Sequence, residues 1–325
     1  MKMDRRTTLA SAGAAMLTAS TSALATTTPD VRAEREQMVP VPGGRAYVRI
    51  NGDLAGPRPP LVMIHGGPGG SHGAFLPALP LAADRAVILY DQLDCGLSDK
   101  PGQPANWTVP RFVDELEAIR AALGVPRWHV LGHSWGGTVA LEYAARQPKE
   151  LASLVLQGPL ISTRAWMDDA ATLRGQLPEH VQAVLDACEG PKPPSKLECD
   201  AAVDAFYRRF WRLKPLPAWA AAYEKAHGLK LAENIYNAMW GPNEFRATGT
   251  LADYDGEPLL KRIAVPTLFL IGDSDEVTPT TARRLTAATP GAALEIIAGA
   301  AHRTQSDQPE VYCAALRNWL AGSDA

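Results

Sequence analysis

The sequence predicts an α/β fold: a mostly parallel sheet with helices on both faces and a helical cap inserted between its strands. Two observations carry this. Short, nearly continuous apolar runs alternate with stretches of helical periodicity, the pattern of strands buried on both faces by crossover helices. From residue 161 to 255 the strand pattern stops, giving way to helical stretches rich in Ala, Trp, Tyr and charge, and then resumes.

The first 25 residues stand apart. Lys2, Arg5 and Arg6 precede an Ala-rich, weakly apolar run ending in Ala23-Leu24-Ala25, which reads as a cleavable signal. The run Arg5-Arg6-Thr7-Thr8-Leu9 resembles a twin-arginine signal, so a periplasmic or secreted protein is expected. The apolar stretch is too short and too broken by Thr and Ser for a membrane anchor. Residues 26–160 and 256–325 then form the core and 161–255 the cap.

Within the core, strands are expected at 45–50, 61–64, 86–90, 128–131, 151–156, 266–271 and 293–297. Residues 109–123 form an amphipathic helix, with Phe112, Val113, Leu116, Ile119, Ala122 and Leu123 on one face and Asp114, Glu115, Glu117 and Arg120 on the other. Further helices are expected at 138–146, 280–288 and 310–320. Lys plus Arg (32) nearly balance Asp plus Glu (35), so no global charge favours nucleic acid or an anionic membrane. The four cysteines, at 95, 188, 199 and 313, have no metal-site spacing. In an oxidising compartment Cys188 and Cys199 either bridge or stay as buried thiols.

Gly132-His133-Ser134-Trp135-Gly136 lies between an expected strand and an expected helix, the setting of a nucleophile elbow. A serine hydroxyl needs a base to take its proton and a carboxylate to orient the base. In the α/β-hydrolase fold these follow in the order Ser, Asp, His, and Asp275 and His302 both fall just after C-terminal strands, on the edge that carries Ser134. Asp273 is the rival acid. The loop His65-Gly66-Gly67-Pro68-Gly69-Gly70 suits an oxyanion hole formed by the Gly67 and Trp135 amides, with His65 and His133 bracing the turns. Such a site needs no cofactor and no metal, and an intact set argues against a non-catalytic binding protein.

These motifs, with Asp91-Gln92, Cys95-Gly96, Ser98, Gly241-Pro242-Asn243-Glu244-Phe245 and Gly272-Asp273-Ser274-Asp275-Glu276-Val277-Thr278-Pro279, resemble the proline iminopeptidases, including the tricorn-interacting aminopeptidase, from about residue 47 to 320. The resemblance implies Asp275 as triad acid. It also implies that Glu244 and Glu276, with Tyr236, hold the free α-ammonium of the substrate. The implied function is a serine aminopeptidase releasing an N-terminal residue, proline or another small or apolar one, from short peptides or amides through an acyl-enzyme. An amino-acid amidase, esterase or lactonase on the same scaffold is the alternative. Two positions depart from the family: Asp94 replaces a Gly, expected to reshape the entrance or leaving-group side, and Trp240 replaces smaller polar residues, expected to alter the acyl pocket.

Overall fold

A computed structural model describes residues 31–324, so the expected signal segment lies outside the described residues. Among them, eight strands form one sheet: β1 (Arg35–Val41), β2 (Gly44–Asn51), β3 (Leu61–Ile64), β4 (Val87–Tyr90), β5 (Trp128–His133), β6 (Leu151–Gln157), β7 (Thr267–Gly272) and β8 (Ala293–Ile297). Their spatial order is β1-β2-β4-β3-β5-β6-β7-β8. The pairs from β4 to β8 are parallel, whereas β1, β2 and β4 pair antiparallel. Sequence patterning gave no sign of β1: it is an exposed edge strand, polar along much of its length and carrying Pro40, so it lacks the apolar run of a central strand.

Five strands, β3 to β7, are buried along their whole length, and successive side chains feed two separate cores. One face sends Val62, Ile64, Ile88, Val130, Leu154 and Phe269 against α1 (Val109–Leu123) and α2 (Trp135–Ala145). The other sends Leu61, Met63, Val87, Leu131, Val155 and Leu268 against a 3-10 segment (His72–Ala83) and the C-terminal helix (Pro309–Gly322). Cutting any of these leucines to Ala would cost about 2–5 kcal/mol. Glu115, which helical periodicity assigns to the polar face of α1, is instead buried, held by Arg111 and by the Leu93 N–H at 3.2 Å; burial pushes its carboxyl up to about 7.

Between β6 and β7 the chain forms α3 (Thr163–Arg174), α4 (Glu179–Glu189), α5 (Lys196–Phe210), α6 (Ala218–Ala226), α7 (Glu233–Met239) and the short α8 (Glu257–Leu260), with no sheet strand among the described residues. Leu173, Leu177, Leu185, Phe206, Phe210 and Phe245 give this insertion a small core of its own. A Cys188–Cys199 disulfide links the end of α4 to the first turn of α5, deciding the alternative that spacing left open, while Cys95 and Cys313 are buried thiols. The insertion leaves and rejoins the core through one neck: the Thr163 N–H donates to Tyr254 O (2.9 Å), the Gly256 N–H to Ile161 O (2.8 Å) and the Thr163 hydroxyl to Leu251 O (2.7 Å). A second attachment runs through Tyr223 on α6. Its hydroxyl accepts from Arg49 on β2 (2.7 Å) and donates to His72 Nε2 (3.1 Å), while His72 Nδ1 donates to the buried Asp91 (3.0 Å).

After β7 come α9 (Pro279–Ala288), β8, α10 (Thr304–Asp307) and α11, the C-terminal helix already described. The loops leaving β5, β7 and β8 therefore open on the same edge of the sheet.

Candidate active site

Ser134 occupies the tight turn between β5 and α2 with φ 57° and ψ −123°, a conformation that non-glycine residues rarely adopt. Three backbone bonds hold it there: its N–H donates to Gln157 O (2.9 Å), and its carbonyl accepts from Gly137 (2.8 Å) and Leu160 (3.1 Å). The flanking glycines are required by space. A Cβ on Gly132 would stand 2.1 Å from Gly136 O, and one on Gly136 would stand 2.2 Å from Ile64 O. Helix α2 begins directly after Ser134, three residues earlier than expected, because Gly136 and Gly137 read as turn residues in sequence but here let the helix start pack against β3.

Asp275, fully buried after β7, accepts the Gly272 N–H (3.2 Å) and the Val277 N–H (3.1 Å). Its Oδ1 takes the His302 Nδ1–H at 2.8 Å. That bond sets the tautomer and leaves Nε2 with a free lone pair, the state a general base needs. The His302 ring is wedged between the His133 ring (centroids 4.5 Å apart) and the edge of Trp166 (5.5 Å). Asp273 is exposed, accepts the Gly299 N–H (3.0 Å) and does not touch His302.

Ser134 and His302 line one cavity of about 910 Å³, together with Gly66, Gly67, Tyr207, Tyr236 and Glu244. Gly67 has φ 116°, open to glycine alone, and no acceptor among the described residues takes its N–H. The Trp135 N–H, first in α2, has no acceptor within the helix. A Cβ on Gly66 would come 2.9 Å from that of Ser134, so the glycine loop and the elbow are in contact. Both histidines of these turns brace them. His65 donates from Nδ1 to Gly66 O (2.9 Å) and accepts the Gln92 N–H at Nε2 (3.0 Å), and His133 Nε2 donates to His302 O (3.0 Å). Burial holds both imidazoles below the usual histidine range.

Glu276, next to Asp275, is buried with neither carboxylate oxygen hydrogen-bonded, and its Oε2 lies 3.6 Å from His302 Nε2. Glu244 accepts the Tyr236 hydroxyl at 2.6 Å. Burial pushes both carboxyls up, and Glu276 further through the charges of Glu244 and Asp275. Tyr207 on α5, which no sequence signal singled out because a helical Tyr reads as core, also lines the cavity; burial and both glutamates push its hydroxyl up.

The two departures act elsewhere than expected. Asp94 is buried and outside the cavity wall; at φ 68° it takes the Trp107 Nε1–H (2.9 Å) and the Gly102 N–H (2.7 Å), so its side chain secures a loop at a backbone conformation glycine would otherwise supply. Trp240 is buried behind Trp166, edge to face at 6.0 Å, and donates to Asn243 O (2.9 Å). It shapes the loop carrying Glu244, not the cavity wall.

A strained serine after a central strand, facing a cavity shared with an Asp-bonded histidine, defines an α/β hydrolase, and the profile of the alpha/beta hydrolase fold family matches residues 59–309. A proline iminopeptidase of Heyndrickxia coagulans is 37% identical over 286 residues, covering 88% of this chain and 98% of that protein. The crystal structure of a Mycobacterium smegmatis proline iminopeptidase superposes with TM-score 0.79 at 35% identity, over 89% of this chain and 99% of that one; the crystal structure of VinJ does so with TM-score 0.83 at 34% identity, over 90% and 100%. The chain belongs to the proline iminopeptidase family.

Proposed function

We propose that this protein is a serine aminopeptidase that releases an N-terminal residue, proline or another small or apolar one, from short peptides or amides. Ser134 attacks the scissile carbonyl while His302 Nε2 takes its proton, and Asp275 stabilises the resulting imidazolium. The Gly67 and Trp135 amides bind the oxyanion. His302 returns the proton to the leaving amine; water then attacks the acyl-enzyme, His302 taking its proton and passing it to the Ser134 oxygen as the amino acid leaves.

The observation that carries the substrate assignment is the buried, unpaired Glu276 carboxylate beside Glu244. A desolvated carboxylate repelled by a neighbouring one is costly unless a cation joins them, and the α-ammonium of a substrate is such a cation. Tyr236 orients Glu244 for it. The insertion, residues 161–255, acts as a cap that roofs the cavity and keeps folded chains out. We further propose export to the periplasm or beyond; the Cys188–Cys199 disulfide supports an oxidising location.

The test compares initial rates on prolyl, alanyl and leucyl naphthylamides with free and acetylated amino groups, beside a simple acetate ester. Cleavage confined to the free-amine amides is expected, and the three acyl groups rank the pocket. Equal cleavage of acetylated substrates, or of the ester alone, overturns the aminopeptidase reading in favour of an esterase or amidase.

A further inference from the structure

The cavity wall also carries a cation with no counter-ion in contact. Arg303 directly follows His302 and lines the same wall. Its guanidinium makes no hydrogen bond or salt bridge among the described residues, and its Nε is buried without a partner. It rests over the Trp211 ring, 5.3 Å from the centroid, and its backbone N–H donates to Trp211 O at 2.8 Å. Glu224, also on the wall, and Asp307 attract it from beyond ion-pair distance, while Arg212 repels it. Burial draws the guanidinium down to about 10, as expected of a cation with no counter-ion in contact. The other cations of the wall, Lys196, Lys230 and Arg246, are exposed, and Lys196 is paired with Asp200 at 2.6 Å.

We infer that Arg303 binds the free C-terminal carboxylate of the substrate, so that the preferred substrates are dipeptides and tripeptides with both ends free. This rests on the aminopeptidase reading of the same site and names its substrate class. The logic is charge complementarity: Glu244 on the cavity wall, with Glu276 close enough to be repelled by it, awaits a cation, Arg303 on the same wall has no anion in contact, and a short zwitterionic peptide satisfies both while its first carbonyl reaches Ser134. Size agrees, since a cavity of about 910 Å³ has a cube edge of about 10 Å and two to three extended residues span at most about 7–11 Å. A planar guanidinium also suits a carboxylate by two parallel bonds, which an ammonium cannot offer.

The experiment measures kcat/KM for one dipeptide as the free acid and as its C-terminal amide, in wild type, R303Q and R303K. Wild type is expected to prefer the acid by about 10-fold or more, the yield of a charge-assisted hydrogen bond. R303Q should bring the acid-to-amide ratio near one, and R303K should keep part of the preference. Raising salt should change the wild-type ratio little, because a hydrogen-bonded contact inside the cavity is weakly screened, whereas a preference set by the exposed lysines would collapse. A wild-type ratio near one overturns the inference, as does an R303Q variant that slows acid and amide in proportion, which is what loss of a mere brace on Trp211 would do. Should R303Q fail to fold, the wild-type ratio and R303K decide. The naphthylamides keep the two readings apart: cleavage restricted to free amines with a ratio near one removes only the role of Arg303, while cleavage of acetylated substrates removes the aminopeptidase reading beneath it.

Discussion

Glu276 is the residue whose environment most opposes its charge: both oxygens are buried and unbonded, with Glu244 and Asp275 as negative neighbours. Its folded carboxyl is held well above the ordinary value, so the folded chain binds a proton that the unfolded chain has already released. Stability is therefore lost as pH rises from the unfolded value near 4.5 through the raised folded one. Replacing Glu276 by Gln removes that loss. We expect E276Q to melt above wild type at pH 8 by the equivalent of on the order of 1–3 kcal/mol, the cost of orphaned buried acceptors, with the gain vanishing below about pH 4.5. Thermal unfolding across pH without substrate measures it; an E276Q protein less stable than wild type at pH 8 would mean that the carboxylate already has a partner. The same variant should bind free-amine substrates more weakly, so stability and function pull this one side chain in opposite directions.

At the scale of elements, the hairpin of α4 and α5 forms one rim of the cavity, through Leu185, Val203 and Tyr207. Ser195 caps α5 through a reciprocal bond pair with Glu198, and the disulfide closes the hairpin across a sequence separation of 11. The double variant C188S/C199S is expected to lose about 2–3 kcal/mol, typical for a short loop released from its cross-link. Because Ser134, Asp275 and His302 stand on the sheet edge and not on this hairpin, KM should rise several-fold while kcat changes little. Steady-state kinetics at two temperatures checks this, and a kcat that falls as far as KM rises would show that the hairpin supports the reacting groups themselves.

For the whole molecule, Tyr223 ties the insertion to the first strands, and Y223F leaves Arg49 and His72 without their shared partner. A loss of about 1–3 kcal/mol is expected, read by denaturant unfolding, with an unchanged midpoint ruling out Tyr223 as an anchor. Ties of this kind explain what was legible in the sequence. The central strands and the amphipathic helix at 109–123 announce themselves because burial on both faces, or on one, dictates residue type position by position. The elbow and the residues after β7 and β8 were legible because their chemistry requires a fixed order along the chain. Edge strand β1 was not, since half its surface faces water. Nor were the buried Glu115, the cavity position of Tyr207, the loop-bracing role of Asp94 or the indirect role of Trp240, each set by partners distant in sequence. The neck at Thr163 and Gly256 has a consequence for how such a protein changes over time. With entry and exit stitched side by side, the long excursion between β6 and β7 behaves, for the register of those two strands, like a turn. Doubling its length would add only about 0.6 kcal/mol of closure entropy. The roof can thus be lengthened, trimmed or exchanged as a cartridge, giving new substrate tastes to a catalytic edge that never has to move.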